Sequence, residues 1–189
     1  MSKKYTKTEN KTIEKAIRFL VDEYARSGFN EKPVIFHSLR VACLLVENNA
    51  AAKTVVAAIL HDLIEDSEVK IESIKKIFGS SVAKLVKAVS FKSDIKDKKR
   101  QYQEMFARTK KSGIEALMIK CADILDNSTY YSFGKNKFSE DILMDKLKYF
   151  LKISESNLKN FKLFLELKRR QKMLLAEYGQ TYKKNKFKK

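Results

Sequence analysis

The chain has 189 residues with one proline, five glycines and two histidines, and 44% of its residues are hydrophobic. The length is enough to bury a core in one domain, and the composition excludes a disordered chain. Because so few residues favour tight turns, an all-β sandwich or barrel is excluded as well. The sequence therefore predicts a single all-α domain, a helical bundle of roughly eight or nine helices.

The formal net charge of +17 is typical of proteins that bind nucleic acid or an anionic membrane surface. Most of the excess lies at the chain ends: residues 1–11 contain four lysines and one glutamate, and residues 168–189 contain nine lysines or arginines and one glutamate. The charge distribution therefore argues against nucleic acid as a partner. We expect residues 1–11 to form a basic extension, residues 12–178 the domain, and residues 179–189 a basic, mobile tail.

The longest unbroken apolar runs, Val41–Val46 and Val55–Leu60, have six residues each, whereas about 20 are needed to cross a bilayer. The sequence thus predicts no membrane partner. Cys43 and Cys121 each lie in an apolar stretch without metal-binding or redox spacing, which indicates small core residues in a reducing compartment. Since the N-terminus has no apolar export segment, we expect a cytoplasmic protein.

Helical periodicity begins near the N-terminus. Apolar residues recur at helical spacing over residues 13–24 and predict a first helix. A break at residues 27–30, followed by Pro33, ends this helix, and a second one is expected over residues 37–49. Residues 52–65 are apolar nearly all round their first two turns, which predicts a helix buried in the middle of the domain.

The second half of the chain continues the helical pattern. Residues 71–78 and 82–89 predict two shorter helices. Residues 92–112 are highly charged and indicate an exposed loop followed by a polar helix, a candidate lid over a cleft. Strong helical periodicity returns over residues 114–127 and in a long terminal helix over residues 155–178.

At the end of the buried helix the sequence reads His61-Asp-Leu-Ile-Glu-Asp66. On a continuous helix, His61 and Glu65 share one face, and Asp62 and Asp66 lie beside them. Three carboxylates this close repel one another and are costly to bury unless a cation joins them. Imidazole and carboxylate ligands suit a divalent ion such as Mn²⁺, Fe²⁺, Zn²⁺ or Mg²⁺.

Two further positions extend this pattern. Asp123 follows an apolar run at the inner end of a predicted helix and shares a face with Asn127. A carboxylate there needs a lysine, an arginine or a metal as partner, and a salt-bridged surface aspartate fits the same pattern. His37 opens its helix and fits either a ligand or a structural histidine. With His61 and Asp62, these residues from three helices would complete a metal site with open positions for water and substrate.

The order His, His-Asp, Asp resembles that of the HD-domain metal-dependent phosphohydrolases. The segments that carry the resemblance look like the hydrolase domain of the RelA/SpoT enzymes, which remove the 3′-pyrophosphate of the alarmone ppGpp: residues 37–42, 57–66, 78–79, 85–86 and 119–127. In length, the chain is similar to the free-standing small alarmone hydrolases. The HD-x-x-ED string at residues 61–66 is the most specific part of the match.

The resemblance implies an HD-domain bundle and a metal-dependent phosphohydrolase that acts on a phosphorylated nucleotide. It implies that Mn²⁺, or another divalent cation, is held by His37, His61, Asp62 and Asp123. The reaction that it implies is removal of the 3′-pyrophosphate of (p)ppGpp-type alarmones.

The same resemblance implies roles for the residues around the metal. Glu65 and Asp66 would position and deprotonate the attacking water. Arg26 would stack on the guanine base, and Asn127 would contact the ribose or phosphate region.

The charged segment adds a further candidate group. Lysines and arginines of residues 92–111, including Arg100 and Arg108, would be able to neutralise a substrate with several phosphates. For each of these residues taken singly, the sequence favours an ordinary solvated surface over this role.

The exact nucleotide stays open because Ile124 and Thr129 stand where the family commonly has basic residues. Another HD-family nucleotidase or a nucleotide pyrophosphatase is the alternative among enzymes. A basic nucleic-acid-binding helical module is the alternative of a different class, and it predicts basic residues with interleaved aromatics along one folded face. The sequence does not define the oligomeric state.

Overall fold

The computed structural model describes the backbone of residues 5–27, 33–129 and 137–186, and the side-chain surroundings of these residues except 137–140 and 178–186. Within these ranges the chain has no strand, so the predicted all-α fold is confirmed. The ten helices found there are α1 (Lys7–Ser27), α2 (Val34–Glu47), α3 (Ala52–Ile59), α4 (Leu63–Asp66), α5 (Ile71–Phe78), α6 (Ser80–Val89), α7 (Lys98–Lys111), α8 (Ile114–Ser128), α9 (Lys137–Leu158) and α10 (Lys162–Lys186).

Helix α8 lies at the centre of the bundle. Every residue from Ala116 to Asp126 is buried, and the helix packs against α2, α3, α6, α7, α9 and α10. Helix α3 is buried from Thr54 to Ile59, as its apolar pattern predicts. Because apolar neighbours surround both helices, any polar group that they carry into the core needs a partner there.

The predicted helix over residues 52–65 is wrong in one respect, because the chain breaks it into two helices. Helix α3 ends at Ile59, a turn follows over residues 60–62, and α4 is a single turn. The Asp62 carbonyl accepts hydrogen bonds from the next turn, which starts α4. Adjacent residues of a continuous helix point about 100° apart and do not face one ligand. The break brings the His61 ring within 3.0 Å of the Asp62 carboxylate.

Two predicted helix boundaries also differ from the structure. Helix α2 begins at Val34, so His37 lies in its first turn rather than at its start. The predicted helix over residues 155–178 is divided, since α9 ends at Leu158 and α10 begins at Lys162. Leu165, in the first turn of α10, is exposed.

The two cysteines have different surroundings. Cys121 is buried on α8, as expected, whereas Cys43 is exposed and the prediction of a core residue there is wrong. Residues Val41, Ala42 and Leu45 form the buried face of α2, and Cys43 lies on the other side of the helix.

Helical structure extends into both chain ends. Helix α1 starts at Lys7, inside the range predicted as an extension, and α10 continues to Lys186 through most of the predicted tail. Residues 1–4 and 187–189 lie outside the described residues, as does most of the predicted break at residues 27–30. None of the helices in the described ranges has the length and apolarity needed to cross a membrane.

Replacement of Phe106 by alanine tests the packing of the bundle. The Phe106 ring is fully buried and lies 5.1 Å from the Phe150 ring and 6.0 Å from the Tyr102 ring, centroid to centroid. We expect Phe106→Ala to lower the free energy of unfolding by about 3–5 kcal/mol, because it removes apolar contacts and leaves a cavity. Chemical denaturation measures the change. Met173→Ala, at an exposed site on α10, is the control and should change the free energy of unfolding by less than about 0.5 kcal/mol. Equal changes in the two variants would contradict the described packing.

Candidate metal centre

Three parts of the fold bring two imidazoles and two carboxylates together. Among the described residues, single ligand atoms of His37, His61 and Asp123 lie within 4.8 Å of one another. The Asp123 Oδ1 atom is 3.4 Å from His37 Nε2 and 3.8 Å from His61 Nε2. Asp62 lies beside this group and turns a different oxygen to each histidine, since its Oδ1 is 3.0 Å from His61 Nε2 and its Oδ2 is 3.6 Å from His37 Nε2.

These spacings fit a shared metal ion. Ligand atoms bonded at about 2.1 Å to one first-row ion lie roughly 3–3.5 Å from each other. The four distances between an imidazole Nε2 and an aspartate oxygen, 3.0 to 3.8 Å, are equal to this spacing or slightly longer. Small side-chain movements would therefore suffice to bring the four groups to bonding distance.

The other nitrogen of each imidazole already has a partner. His37 Nδ1 lies 2.7 Å from Asp126 Oδ2, and His61 Nδ1 lies 2.7 Å from the Ala58 carbonyl oxygen. Both acceptors require a proton on Nδ1, which leaves Nε2 as the lone-pair nitrogen of a neutral ring. Within the described part of the chain neither buried Nε2 atom makes a hydrogen bond. Two such orphaned nitrogens facing carboxylates fit a metal cation.

Asp123 is held from both sides. The buried Lys120 donates to Asp123 Oδ2 at 2.8 Å, and the Asn127 amide donates to Asp123 Oδ1 at 2.6 Å. The carboxylate is therefore oriented with Oδ1 toward the two imidazoles. Lys120 also supplies one of the positive charges that a buried group of carboxylates needs.

The pKa shifts show how strongly the site favours positive charge. Burial lowers the pKa of His37, but the Asp123 and Asp126 carboxylates outweigh it and raise the pKa to about 10. Burial likewise opposes a higher pKa at His61, yet Asp62 and Asp123 raise it. For Asp123, burial would raise the pKa, but Lys120 and the two histidines hold it well below its usual range. The aspartates thus favour a positive charge at the position that the two Nε2 atoms face.

A cavity of about 460 Å³ opens beside these ligands. Glu65, Asp66 and Asn127, all singled out from the sequence, line it. Burial raises the pKa of Glu65, and so does its neighbour Asp62, while Lys120 opposes the shift. Residues of both charge signs and one aromatic ring also line the cavity, among them Arg40, Phe91, Lys120 and Lys146.

Three arginines named from the sequence do not line this cavity. Arg26 is exposed near the end of α1 and pairs with Glu23 of the same helix at 2.8 Å. Arg100 is exposed at the start of α7. The expectation that Arg108 neutralises substrate phosphates does not fit its geometry, because its guanidinium binds Glu104 and backbone carbonyls.

Several residues of the site were missed from the sequence. Asp126 orients His37 and forms a two-pronged ion pair with Arg40, with nitrogen–oxygen distances of 2.6 and 2.8 Å. The sequence contains a signal for Asp126, because it is a second carboxylate three residues after Asp123 in an apolar helix. It also contains a signal for the partner of Asp123, because Lys120 lies three residues before it. Lys146 reaches the cavity from α9, and no spacing in the sequence indicates that contact.

The HD domain family model matches residues 16–142, a range that contains all four residues facing the candidate metal position. The chain belongs to the HD domain family.

Curated relatives share this region but are much longer. The guanosine-3′,5′-bis(diphosphate) 3′-pyrophosphohydrolase of Aquifex aeolicus is 34% identical over 130 residues, 66% of this chain and 18% of that protein. The protein of the same name from Borreliella burgdorferi is 30% identical over 164 residues, 82% of this chain and 24% of that protein. The bifunctional (p)ppGpp synthase/hydrolase SpoT of Escherichia coli K12 is 38% identical over 101 residues, 51% of this chain and 14% of that protein. The chain thus spans less than a quarter of the length of these relatives.

Two solved structures show the same fold. One, described as a metazoan ortholog of SpoT that hydrolyzes ppGpp, has a TM-score of 0.73 and 21% identity over 90% of this chain and 98% of its own. The other, a Listeria monocytogenes EGD-e protein, has a TM-score of 0.67 and 24% identity over 74% of this chain and 94% of its own. Both likenesses establish the HD-domain architecture of the bundle.

Metal binding should release protons. In the metal-free protein His37 stays protonated up to a pH of about 10, and a metal needs its neutral ring. The apparent affinity for Mn²⁺ should therefore rise as the pH increases from 6 to 8. Calorimetric titration in two buffers with different heats of ionisation counts the released protons. Affinity that is independent of pH, with no proton release, would contradict the assignment.

Asp126→Asn tests the orientation of His37. The substitution keeps the shape of the side chain but removes the charge that holds the proton on His37 Nδ1, so we expect Mn²⁺ affinity to fall about 10- to 100-fold. Calorimetry measures the affinity, and thermal unfolding checks the fold. Glu14→Gln, which removes an exposed carboxylate on α1, is the matched control. An unchanged affinity in Asp126→Asn would show that this contact does not support the metal.

Proposed function

We propose that the protein is a divalent-metal-dependent phosphohydrolase that removes the 3′-pyrophosphate of (p)ppGpp-type alarmones. The observation that carries the proposal is the pair of buried Nε2 atoms that face Asp123 without a hydrogen bond. They lie beside a cavity lined by both carboxylates and lysines, the groups that hydrolysis of a phosphorylated nucleotide requires. The curated relatives bear the name of this reaction, which supports the choice of substrate.

His37, His61, Asp62 and Asp123 would hold the metal, for which we propose Mn²⁺. Two imidazoles and two carboxylates form a mixed nitrogen and oxygen set that accommodates Mn²⁺ as well as Fe²⁺ or Zn²⁺, and the resemblance to the alarmone hydrolases favours Mn²⁺ among them. When bound, a divalent cation supplies Lewis-acid activation of water and of the phosphoryl group.

Glu65 and Asp66 would accept the proton of the attacking water. Both line the cavity one turn beyond the proposed ligand Asp62, and desolvation raises the pKa of Glu65, which favours uptake of a proton. Water would add to the phosphorus attached to the ribose 3′ oxygen, and a glutamate oxygen would accept the water proton. The 3′ oxygen would leave with a proton, giving a nucleoside 5′-diphosphate and pyrophosphate.

Two lysines would bind the phosphate groups. Both line the cavity; burial and repulsion by Lys120 lower the pKa of Lys146, whereas the carboxylates of Asp123, Glu65 and Asp62 oppose that shift. Both also lie near the Phe91 ring, with Nζ 5.8 Å from its centroid for Lys120 and 5.1 Å for Lys146. An anion with several phosphates would relieve this repulsion. Asn127, beside Asp123 at the cavity, would contact the ribose or phosphate region.

The remaining proposed contact is with the base of the nucleotide. Arg26 would stack on the guanine base, although in this structure it pairs with Glu23. Ile124 is buried in the core rather than at the cavity, and Thr129 donates to the Asp126 carbonyl. Because neither offers a charge to the substrate, another nucleotidase or nucleotide pyrophosphatase of the HD family is the second candidate. A cytoplasmic location would give the enzyme access to its nucleotide substrate.

A product assay tests the proposal. The purified protein is incubated with Mn²⁺ and ppGpp, ppApp, NADPH, deoxynucleoside triphosphates or mononucleotides, and released phosphate and pyrophosphate are measured. We expect pyrophosphate from ppGpp, none with a chelator, and a loss of at least about 1,000-fold in His61→Ala because a buried ligand is removed. Release of monophosphate would contradict the alarmone reaction. No metal-dependent release from any substrate would contradict the hydrolase.

A further inference from the structure

Side chains of α7 hold the end of α6 and the residues that follow it. We call this segment, residues 87–92, the clamped turn. The Arg108 guanidinium donates to the carbonyl oxygens of Lys87 and Ser90, the second at 2.7 Å. Glu104 accepts from Arg108 at 3.0 and 3.1 Å and pairs with the Lys92 ammonium at 2.8 Å. One face of α7 thus fixes both ends of the clamped turn.

The opposite side of the clamped turn contacts the candidate catalytic group. The Phe91 backbone N–H donates to Glu65 Oε1 at 2.8 Å. The buried Ser90 hydroxyl lies 3.1 Å from the His61 carbonyl oxygen and 2.8 Å from the Val86 carbonyl oxygen. The clamped turn therefore connects α7 to the carboxylate of Glu65 and to the backbone of a proposed metal ligand.

We propose that Arg108 is a positioning residue, which fixes the clamped turn so that the Phe91 N–H orients the Glu65 carboxylate at the cavity. Arg108 does this from outside the cavity and touches neither substrate nor metal. The inference rests on the proposed function in one respect, namely the role of Glu65 as the group that accepts the proton of the attacking water.

Glu65 needs such a restraint because of where it lies. Helix α4 has a single turn, which has little stability of its own, and a glutamate side chain has several rotamers of similar energy. A hydrogen bond to Oε1 removes most of this freedom and leaves Oε2 for a water molecule. The donor is a backbone group, so its direction depends on the conformation of the clamped turn.

Arg108 is well suited to fix that conformation. The last carbonyl groups of a helix have no partner within the helix, and the guanidinium binds two carbonyl groups at the end of α6. Its planar fork of donors holds these oxygens and Glu104 at the same time. Its side chain is 22% exposed, compared with 76% for Arg18, which forms a similar pair with a glutamate four residues earlier.

The experiment compares Arg108→Met with Arg18→Met. Both substitutions remove an arginine paired with a glutamate one helical turn earlier, but only Arg108 binds the clamped turn. We expect kcat for ppGpp hydrolysis to fall about 10- to 100-fold in Arg108→Met, with KM and Mn²⁺ affinity unchanged within about twofold. Arg108→Lys should recover part of kcat, since one ammonium can bind one of the two carbonyls. Arg18→Met should behave as the unmodified protein.

A second measurement does not depend on activity. Amide hydrogen exchange, followed by NMR on the full chain, should become at least about tenfold faster at Phe91 in Arg108→Met, while amides of α3 and α8 keep their protection. If the unmodified protein hydrolyses no ppGpp, the proposed function fails, and the exchange at Phe91 still decides whether Arg108 fixes the turn.

Two results would overturn the inference. One is an unchanged rate of amide exchange at Phe91 in Arg108→Met. The other is a rise in KM and a fall in Mn²⁺ affinity that are as large as the fall in kcat. If Arg108→Met does not fold, Glu104→Gln replaces it, because Glu104 holds Arg108 and Lys92 from α7. A smaller loss of kcat with unchanged KM supports the inference in that variant. An unaltered kcat with unaltered Phe91 exchange contradicts it.

Discussion

The structure depends on one electrostatic constraint: two imidazole nitrogens and two aspartates share a largely buried space that has to contain a cation. The Nδ1 atoms of His37 and His61 are committed to Asp126 and to the Ala58 carbonyl, so only their Nε2 atoms face the carboxylates. The neighbouring aspartates raise the pKa of His37 to about 10, so in the metal-free protein a proton on this imidazole supplies part of the charge. A divalent cation would satisfy all of these groups at once, and this would account for their place in the interior of the bundle.

The helices around the site are arranged to meet this constraint. The most buried helix, α8, carries Asp123 and Asp126 together with Lys120, whose ammonium offsets part of their charge. The chain breaks between α3 and α4 so that two consecutive residues, His61 and Asp62, can face one position. The same break leaves Glu65 on a single helical turn, where the clamped turn and α7 restrain it.

The sequence predicts the helical class and the residues that meet at the site, because apolar periodicity and the HD-x-x-ED string are local signals. The prediction from sequence is wrong where contacts between residues far apart in the chain decide the geometry. A continuous helix over residues 52–65 follows from apolar spacing, whereas the chain breaks it at residues 60–62 and places His61 Nε2 3.8 Å from Asp123 on another helix. The positive charge of Arg108, in a highly charged segment, suggests a phosphate-binding residue. In the structure it binds backbone carbonyls, and no pattern of residue types reveals such a contact.

The most direct test of this account is a crystal structure of the protein with Mn²⁺, with diffraction recorded at the manganese absorption edge. The account predicts one strong anomalous peak about 2.0–2.4 Å from His37 Nε2, His61 Nε2 and Asp123 Oδ1, with a carboxylate oxygen of Asp62 at a similar distance. A crystal that contains Mn²⁺ with no peak at these atoms, or with its peak elsewhere in the molecule, would contradict it.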